Sequence, residues 1–425
     1  MKLIISIERD GKQCLTGTIE GNSGTDACFR YAESYLQDSG SVPVSISLPL
    51  QEQPFSAKQT KNYFEGLLPE GYTRRTVAQW MHVDENDYLS ILHGLGRECL
   101  GAIQIRTENE ELNASYEAVS QEDIRALAEE GVSKSAEIIT KAHLSLTGAS
   151  GKVGLYFDKT NGRWFVPWGT APSTHIVKQS HIRLNDIVTN EQLSLLTAKS
   201  CGIDIPDSFI INTGSGEENE VLFATARYDR SWPEHPVVID GLPCPCRLHQ
   251  EDFAQALGIL ASEKYEKRPS GYLRLLFETL RKYSSDPIQD QLRLWDIVVF
   301  NYLIGNTDAH IKNSSLLYSA DMKSLRLAPA YDLVSTTVYK QSTREMAFYI
   351  GGDLLIDQIT RNSFQNAAKE TGISVRMAME RFDHMRSSFT HALKESAEQL
   401  CDAGYPRASG IRKKILQTGG ISLII

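Results

Sequence analysis

Asp308 and Asn313 lie five residues apart in the run Gly305-Asn306-Thr307-Asp308-Ala309-His310-Ile311-Lys312-Asn313, and Asp332 follows downstream. This set of residues suits phosphoryl transfer. A loop aspartate can accept the proton of an attacking hydroxyl, and an asparagine five positions on can hold a magnesium ion. A further aspartate then supplies the second hard oxygen that metals bridging ATP phosphates require. By itself the pair is weak evidence, because an Asp and an Asn at that spacing are common in loops where both simply bond to backbone. Two upstream segments fit the same chemistry. Gly148-Ala149-Ser150-Gly151 is small enough for backbone N–H groups to approach an anion, with Lys152 adding a cation, although the segment also reads as an ordinary hairpin turn. Lys178 ends the strand-like run His175-Ile176-Val177-Lys178, where a lysine either snorkels to the surface or points at phosphates. A Walker A loop does not fit, since Gly148 and Gly151-Lys152 are too close and Val153 replaces the hydroxyl residue.

The elements that would carry these groups follow from patterning. From Leu292 to Ile304 the apolar residues are nearly continuous, and Gly305-Asn306 closes a buried helix just before the polar loop. Ser315 to Tyr318, a turn over Asp321 to Ser324, and Leu325-Arg326-Leu327 form a hairpin that brings Asp332 back on the next strand. After Lys178, Asn190-Glu191 opens a helix, so Glu191 is either the ion-pair partner of Lys178 or an acid favoured in a first helical turn. Phe209 to Asn212 and Val221 to Arg227 read as strands around Gly214-Ser215-Gly216. The order is glycine-rich loop, strand lysine, helix, catalytic loop, metal aspartate.

That order, in Ser145 to Lys152, Thr174 to Lys178, Arg227-Tyr228-Asp229-Arg230, Ile304 to Asn313 and Pro329 to Leu333, resembles the HipA-like serine/threonine kinases, the toxin halves of bacterial toxin-antitoxin pairs. Asn62-Tyr63-Phe64-Glu65-Gly66-Leu67-Leu68-Pro69-Glu70 looks like that family's accessory domain. The resemblance implies an α+β, protein-kinase-like bilobal fold with a β-rich N-lobe, a mostly helical C-lobe and a small N-terminal α+β domain. It implies ATP and Mg2+ as cofactors, Asp308 as the base, Asn313 and Asp332 as metal ligands, and Lys178 as the phosphate-binding lysine. Thr147, Gly148, Ala149, Ser150, Gly151 and Lys152 would cover the phosphates, Ala226, Arg227 and Tyr228 would form the hinge at adenine, and His310, Ile311, Lys312 and Tyr331 would complete the ATP site. Thr147, Ser150 and Gly151 depart from the family's alanine, Gln and Glu, and Ala226 and Tyr228 from its Glu and Phe. Ser145 occupies the place of the serine that family members phosphorylate on themselves. The implied target is a translation-related protein, typically an aminoacyl-tRNA synthetase, and the implied restraint is a HipB-like DNA-binding antitoxin, through which alone the chain would meet DNA. The rival readings are a small-molecule kinase and an inactive kinase fold acting as corepressor.

At 425 residues the chain is long enough for two or three units of roughly 100 to 200 residues. We expect an accessory domain over 1–110, an N-lobe over 141–230 and a C-lobe over 231–425. In the first, Leu3 to Ile7 and Gln13 to Ile19 flank the turn Arg9-Asp10-Gly11 as a hairpin, and Phe29 to Leu36 and Ser56 to Phe64 read as helices. Residues 107–140 read as a polar connector followed by a surface helix. In the last, Glu251 to Leu260, Gly271 to Tyr283, Gln291 to Ile304, Phe364 to Glu370 and Arg376 to Glu398 are expected helices. A net charge of −9 argues against a protein that coats nucleic acid. Seven scattered cysteines suit a reducing compartment. Early charges at the N-terminus and the lack of a long apolar run predict a cytoplasmic protein.

Overall fold

The computed structural model describes residues 1–108, 110, 113–142, 151–180 and 184–423. Its first sheet is antiparallel, with Cys28–Tyr31, Lys12–Glu20, Lys2–Arg9 and Ile103–Arg106 in that spatial order. Arg9 pairs with Lys12, so Asp10 and Gly11 form a two-residue turn, and both have positive φ, which is what a tight hairpin of this twist demands. The helix expected from Phe29 is instead the strand Cys28–Tyr31 followed by the short helix Glu33–Gln37. Phe29, Ala32, Tyr35 and Leu36 carry helical spacing, but pairing with Lys12–Glu20 wins because it buries Phe29 and Tyr31 on one face against Phe55 and Phe64. The helix Ala57–Phe64 starts at a capping box in which Ser56 and Gln59 satisfy each other's backbone.

A second antiparallel sheet has the order Ala114–Ala118, Arg163–Gly169, Lys152–Asp158, His175–Gln179, Val221–Ala226 and Ser208–Asn212. Residues 107–140 therefore contain more than a connector and one helix. Ala114–Ala118 edges this sheet, and helices Gln121–Glu130 and Val132–Ala142 bury Ile124, Leu127, Ala136 and Ile139. The strand shows little in the sequence because Tyr116 is its one buried residue. The helix Ile187–Ser200 is buried on nearly every side and packs on Val221–Ala226 and Ser208–Asn212.

The rest is mostly helical, built on Tyr272–Tyr283, Pro287–Ile304, Arg361–Thr371, Val375–Asp402 and Arg407–Thr418. A three-stranded sheet of Gln250–Asp252, Ser315–Tyr318 and Leu325–Leu327 lies at the cleft. The helix expected from Glu251 begins only at Phe253, since Asp252 caps it through a box with Gln255, and Gly258 in the left-handed region stops it. Apolar packing is continuous from Leu3 and Ile5 to Ile415 and Ile421, so the first sheet and the C-terminal helices share one core. A smaller cluster around Val153, Leu155, Val177 and Leu222 serves the second sheet. Among the described residues no helix is long and apolar enough to cross a membrane.

Candidate active site

The helix Pro287–Ile304 determines where the polar loop begins. Gly305 takes φ 75°, and the N–H of Asn306 donates to Asn301 O at 2.8 Å, closing the helix end. A Cβ at Gly305 would stand 2.1 Å from Thr337 Oγ1, so close packing as well as backbone geometry excludes a side chain. Asn306 then ties the loop together. Its Oδ1 accepts from the Asp308 N–H at 3.1 Å, and its Nδ2 donates to Asn301 Oδ1 at 2.9 Å and to Asp332 O at 3.3 Å. Asn313, at the end of the Ile311–Asn313 turn, donates from Nδ2 to Asp308 O at 2.8 Å. The backbone of Asp308 is thus held from both sides, while its carboxylate accepts from the Tyr265 hydroxyl. Asp308 reaches solvent, but the surrounding protein disfavours its charge and holds its carboxyl above the usual range.

Lys178 faces this loop from the second sheet. Its Nζ lies 2.6 Å from Glu191 Oε1 and also bonds Asp332 Oδ1. Glu191 sits in the second turn of its helix, which begins at Ile187, so the dipole of the first turn does not account for it. Burial opposes the charge on Lys178, but Asp332 and Glu191 outweigh it and keep the amine protonated. Likewise burial opposes ionisation of Asp332, and Lys178 and Lys152 outweigh it, holding the carboxylate below its usual range. Asp332 does not lie on a strand: it follows Leu325–Leu327 in irregular backbone, with φ 55°. Lys152 is the register partner of Lys178, so the two cations share one face of the sheet. Burial pushes the Lys152 amine down.

Lys312 points toward the N-terminal unit, donating to Asp252 Oδ2 at 2.6 Å and to Gly66 O at 3.1 Å. His310 is buried and held far below its usual pKa by desolvation, so it is neutral at pH 7. Ile311 packs in the core. Tyr331 donates to Lys312 O at 2.8 Å and stacks on Tyr228, ring centroids 5.6 Å apart. Where the hinge was expected, the N–H groups of Ala226 and Arg227 already donate to Asp207 O and Thr174 O, so neither is available to a ligand. The Arg227 guanidinium turns into a buried charge cluster with Glu98 and Asp229. Gly151 is buried beside Gln179. Ser145, Thr147, Gly148, Ala149 and Ser150 lie outside the described residues.

One cleft of about 290 Å3 is lined by Lys152, Lys178, Glu191, Asp308, Asn313 and Asp332 together with Ala226 and Tyr228. Glu70, Asp252, Tyr265 and Asn306 line it too and were not assigned to the site from the sequence. Asn306 could have been suspected from its place after Gly305, and Asp252 from its capping spacing to Gln255. Glu70 closes a segment read only as part of the accessory domain, and Tyr265 gave no local signal. The donor set suits a hard divalent cation: Asp332 is ionised, and Asn313, with its Nδ2 engaged by Asp308 O, has its amide oxygen left to offer.

Residues 144–393 match the family model described as HipA-like C-terminal domain, and residues 12–106 match that of the HipA N-terminal domain. A Sinorhizobium fredii protein named as a kinase, Y4mE, is 30% identical over 408 residues, covering 94% of this chain and 93% of that one. The serine/threonine-protein kinase toxin HipA of Shewanella oneidensis is 26% identical over 385 residues, covering 87% and 84%. A solved complex of Shewanella oneidensis HipA, HipB and operator DNA contains a chain that superposes with TM-score 0.80 at 20% identity, covering 99% of this chain and 97% of that one. The overall fold is therefore that α+β, kinase-like architecture.

Proposed function

The chain belongs to the HipA-like family, and from that premise we propose that it is an ATP- and Mg2+-dependent protein serine/threonine kinase of the HipA toxin type. The observation that carries this reading is Lys178 held between Glu191 and Asp332 in the cleft that also contains Asp308 and Asn313. A fixed lysine beside an ionised aspartate is what nucleotide phosphates and their metal need, and a solvent-reaching aspartate beside it is what an attacking hydroxyl needs.

In this reading Lys178 and Lys152 bind the phosphates from one face of the sheet, and Tyr228 with Tyr331 forms the cleft wall beside the hinge. Asp308 orients the acceptor hydroxyl and takes its proton, a role that contributes roughly 10² to 10⁴-fold. The raised pKa of Asp308 makes it a better proton acceptor than an unperturbed aspartate. Asn313 and Asp332 would hold the magnesium ion, which when bound neutralises charge on the transferred phosphoryl group. Neutral His310 and protonated Lys312 flank the loop and keep it in shape.

The target we propose is a translation-related protein, an aminoacyl-tRNA synthetase by the family's habit, and the partner a HipB-like antitoxin that connects the chain to DNA. Ser145 would be an autophosphorylation switch: a phosphoserine carries roughly −1.5 to −2 charges and would compete with ATP phosphates for the same loop amides. The test compares Asp308→Asn and Asp332→Asn after incubation with labelled ATP and a host-cell lysate, alongside calorimetric nucleotide binding. Asp308→Asn should lose protein labelling while still binding nucleotide, and Asp332→Asn should lose both. Equal labelling by both variants and the wild type refutes the assignment.

A further inference from the structure

Tyr265 has no part in the reading above, yet its hydroxyl donates to Asp308 Oδ1. Both of its neighbours in sequence are anchored. On one side Lys264 Nζ lies 2.6 Å from Glu70 Oε2, in the N-terminal unit. On the other, the buried Glu266 carboxylate accepts through Oε1 from the N–H groups of Ser270 and Gly271 at 2.6 Å each and of Tyr272 at 3.2 Å. Its Oε2 accepts from the Tyr349 N–H at 3.0 Å, and its own N–H donates to Ala347 O at 2.8 Å. The Tyr265 ring also stands edge-on to His310, centroids 5.1 Å apart and planes at 84°.

A swinging gate would not be pinned on both flanks, whereas a residue that sets another's orientation must be. The main chain of Asp308 is already fixed by Asn306 and Asn313. What remains is rotation of the carboxylate, and the Tyr265 hydroxyl stops it by holding Oδ1. Oδ2 is then the oxygen left to an acceptor. Burial and the neighbouring Asp308 charge push the Tyr265 phenol far above its usual pKa, so the hydroxyl remains a donor throughout the neutral range.

Resting on the kinase reading, we propose that Tyr265 is a positioning residue for phosphoryl transfer, fixing Asp308 so that Oδ2 receives the acceptor's proton, with Glu70 of the N-terminal unit bracing it through Lys264. In that step the acceptor oxygen bonds to the γ-phosphorus as the bond from that phosphorus to the ADP oxygen breaks, and the acceptor's hydroxyl proton passes to Oδ2.

Tyr265→Phe keeps the ring against His310 and removes only the hydroxyl. The rate of protein labelling from γ-labelled ATP in a host-cell lysate, at saturating ATP, should fall about 10- to 100-fold, part of what the base itself supplies, with the KM for ATP unchanged. Lys264→Met removes the brace to Glu70 and should give a smaller loss of the same kind. A wild-type limiting rate in Tyr265→Phe, or a loss confined to the KM for ATP, overturns the proposal. A crystal structure of Tyr265→Phe tests it without reference to activity. An Asp308 carboxylate rotated or split between rotamers supports the proposal, and one unmoved from its wild-type position overturns it. Failure of wild type to label any protein counts instead against the kinase reading.

Discussion

Replacing Glu98 by Gln should destabilise the protein at neutral pH and progressively less as the solution is acidified. Glu98 is fully buried, with Oε1 accepting from Arg227 Nη1 at 3.1 Å, Arg230 Nη2 at 2.5 Å and the Ser173 N–H at 3.0 Å. Its Oε2 accepts from Arg247 Nε at 2.9 Å and Nη2 at 2.5 Å. With Glu8 and Asp229 it balances three arginines, so the neutral amide leaves one uncompensated positive charge inside the protein. Breaking a buried ionic set in this way costs about 3–5 kcal/mol. With roughly 2.1 cal/mol/K of unfolding entropy per residue over 425 residues, about 4 kcal/mol lowers Tm by about 4–5 °C. The pH dependence has a definite sign. Burial opposes ionisation of Glu98, but Arg247, Arg230 and Arg227 outweigh it and bring its pKa from 4.5 to about 2. The stability that its charge supplies is therefore complete above 4.5 and is lost as pH falls toward about 2. Differential scanning calorimetry of both proteins from pH 7 downward should show a gap in Tm that narrows across that window. A gap under about 1 °C at pH 7, or one that widens on acidification, refutes the reasoning.

Gly305→Ala forces a side chain into left-handed backbone against Thr337 Oγ1 and should cost about 1–3 kcal/mol or more, read as a lower urea midpoint at unchanged slope. Lys312→Met leaves Asp252 buried without its cation and should cost about 3–5 kcal/mol, whereas adding Asp252→Asn should restore part of that, both read by guanidinium unfolding.

The place of the Asp308 loop was legible because its signals are local. An apolar run of helical length ending in Gly-Asn is a local helix-stop signal, and the spacing of Asp308 to Asn313 is set by one turn. Lys178 and Glu191 are similarly close, on consecutive elements. Phe29 to Leu36 misled because its decisive partner lies outside the segment: spacing suggested a helix, and pairing with the neighbouring strand Lys12–Glu20 decided otherwise. Asp252 shows the finer case, where one side chain both caps a helix and receives Lys312, and only the first role has a local pattern.

What could not be read is the part that crosses between units. Glu8, Glu98, Asp229 and Arg247 are ordinary charged residues in sequence, and nothing in their spacing says that they meet in one buried cluster. Yet that cluster joins the first sheet to the segment that follows the hinge strand, through the same Arg227 that stands beside the cleft. Lys312 reaches Gly66 O, and Lys264 reaches Glu70, so two segments beside Asp308 end on the N-terminal unit. The continuous apolar core points the same way. The loop that carries Asp308 is therefore braced by residues 1–106, and disturbing that unit at Gly66 or Glu70 should reach Asp308 through Lys312 and Tyr265 before it reaches Ala226 and Arg227.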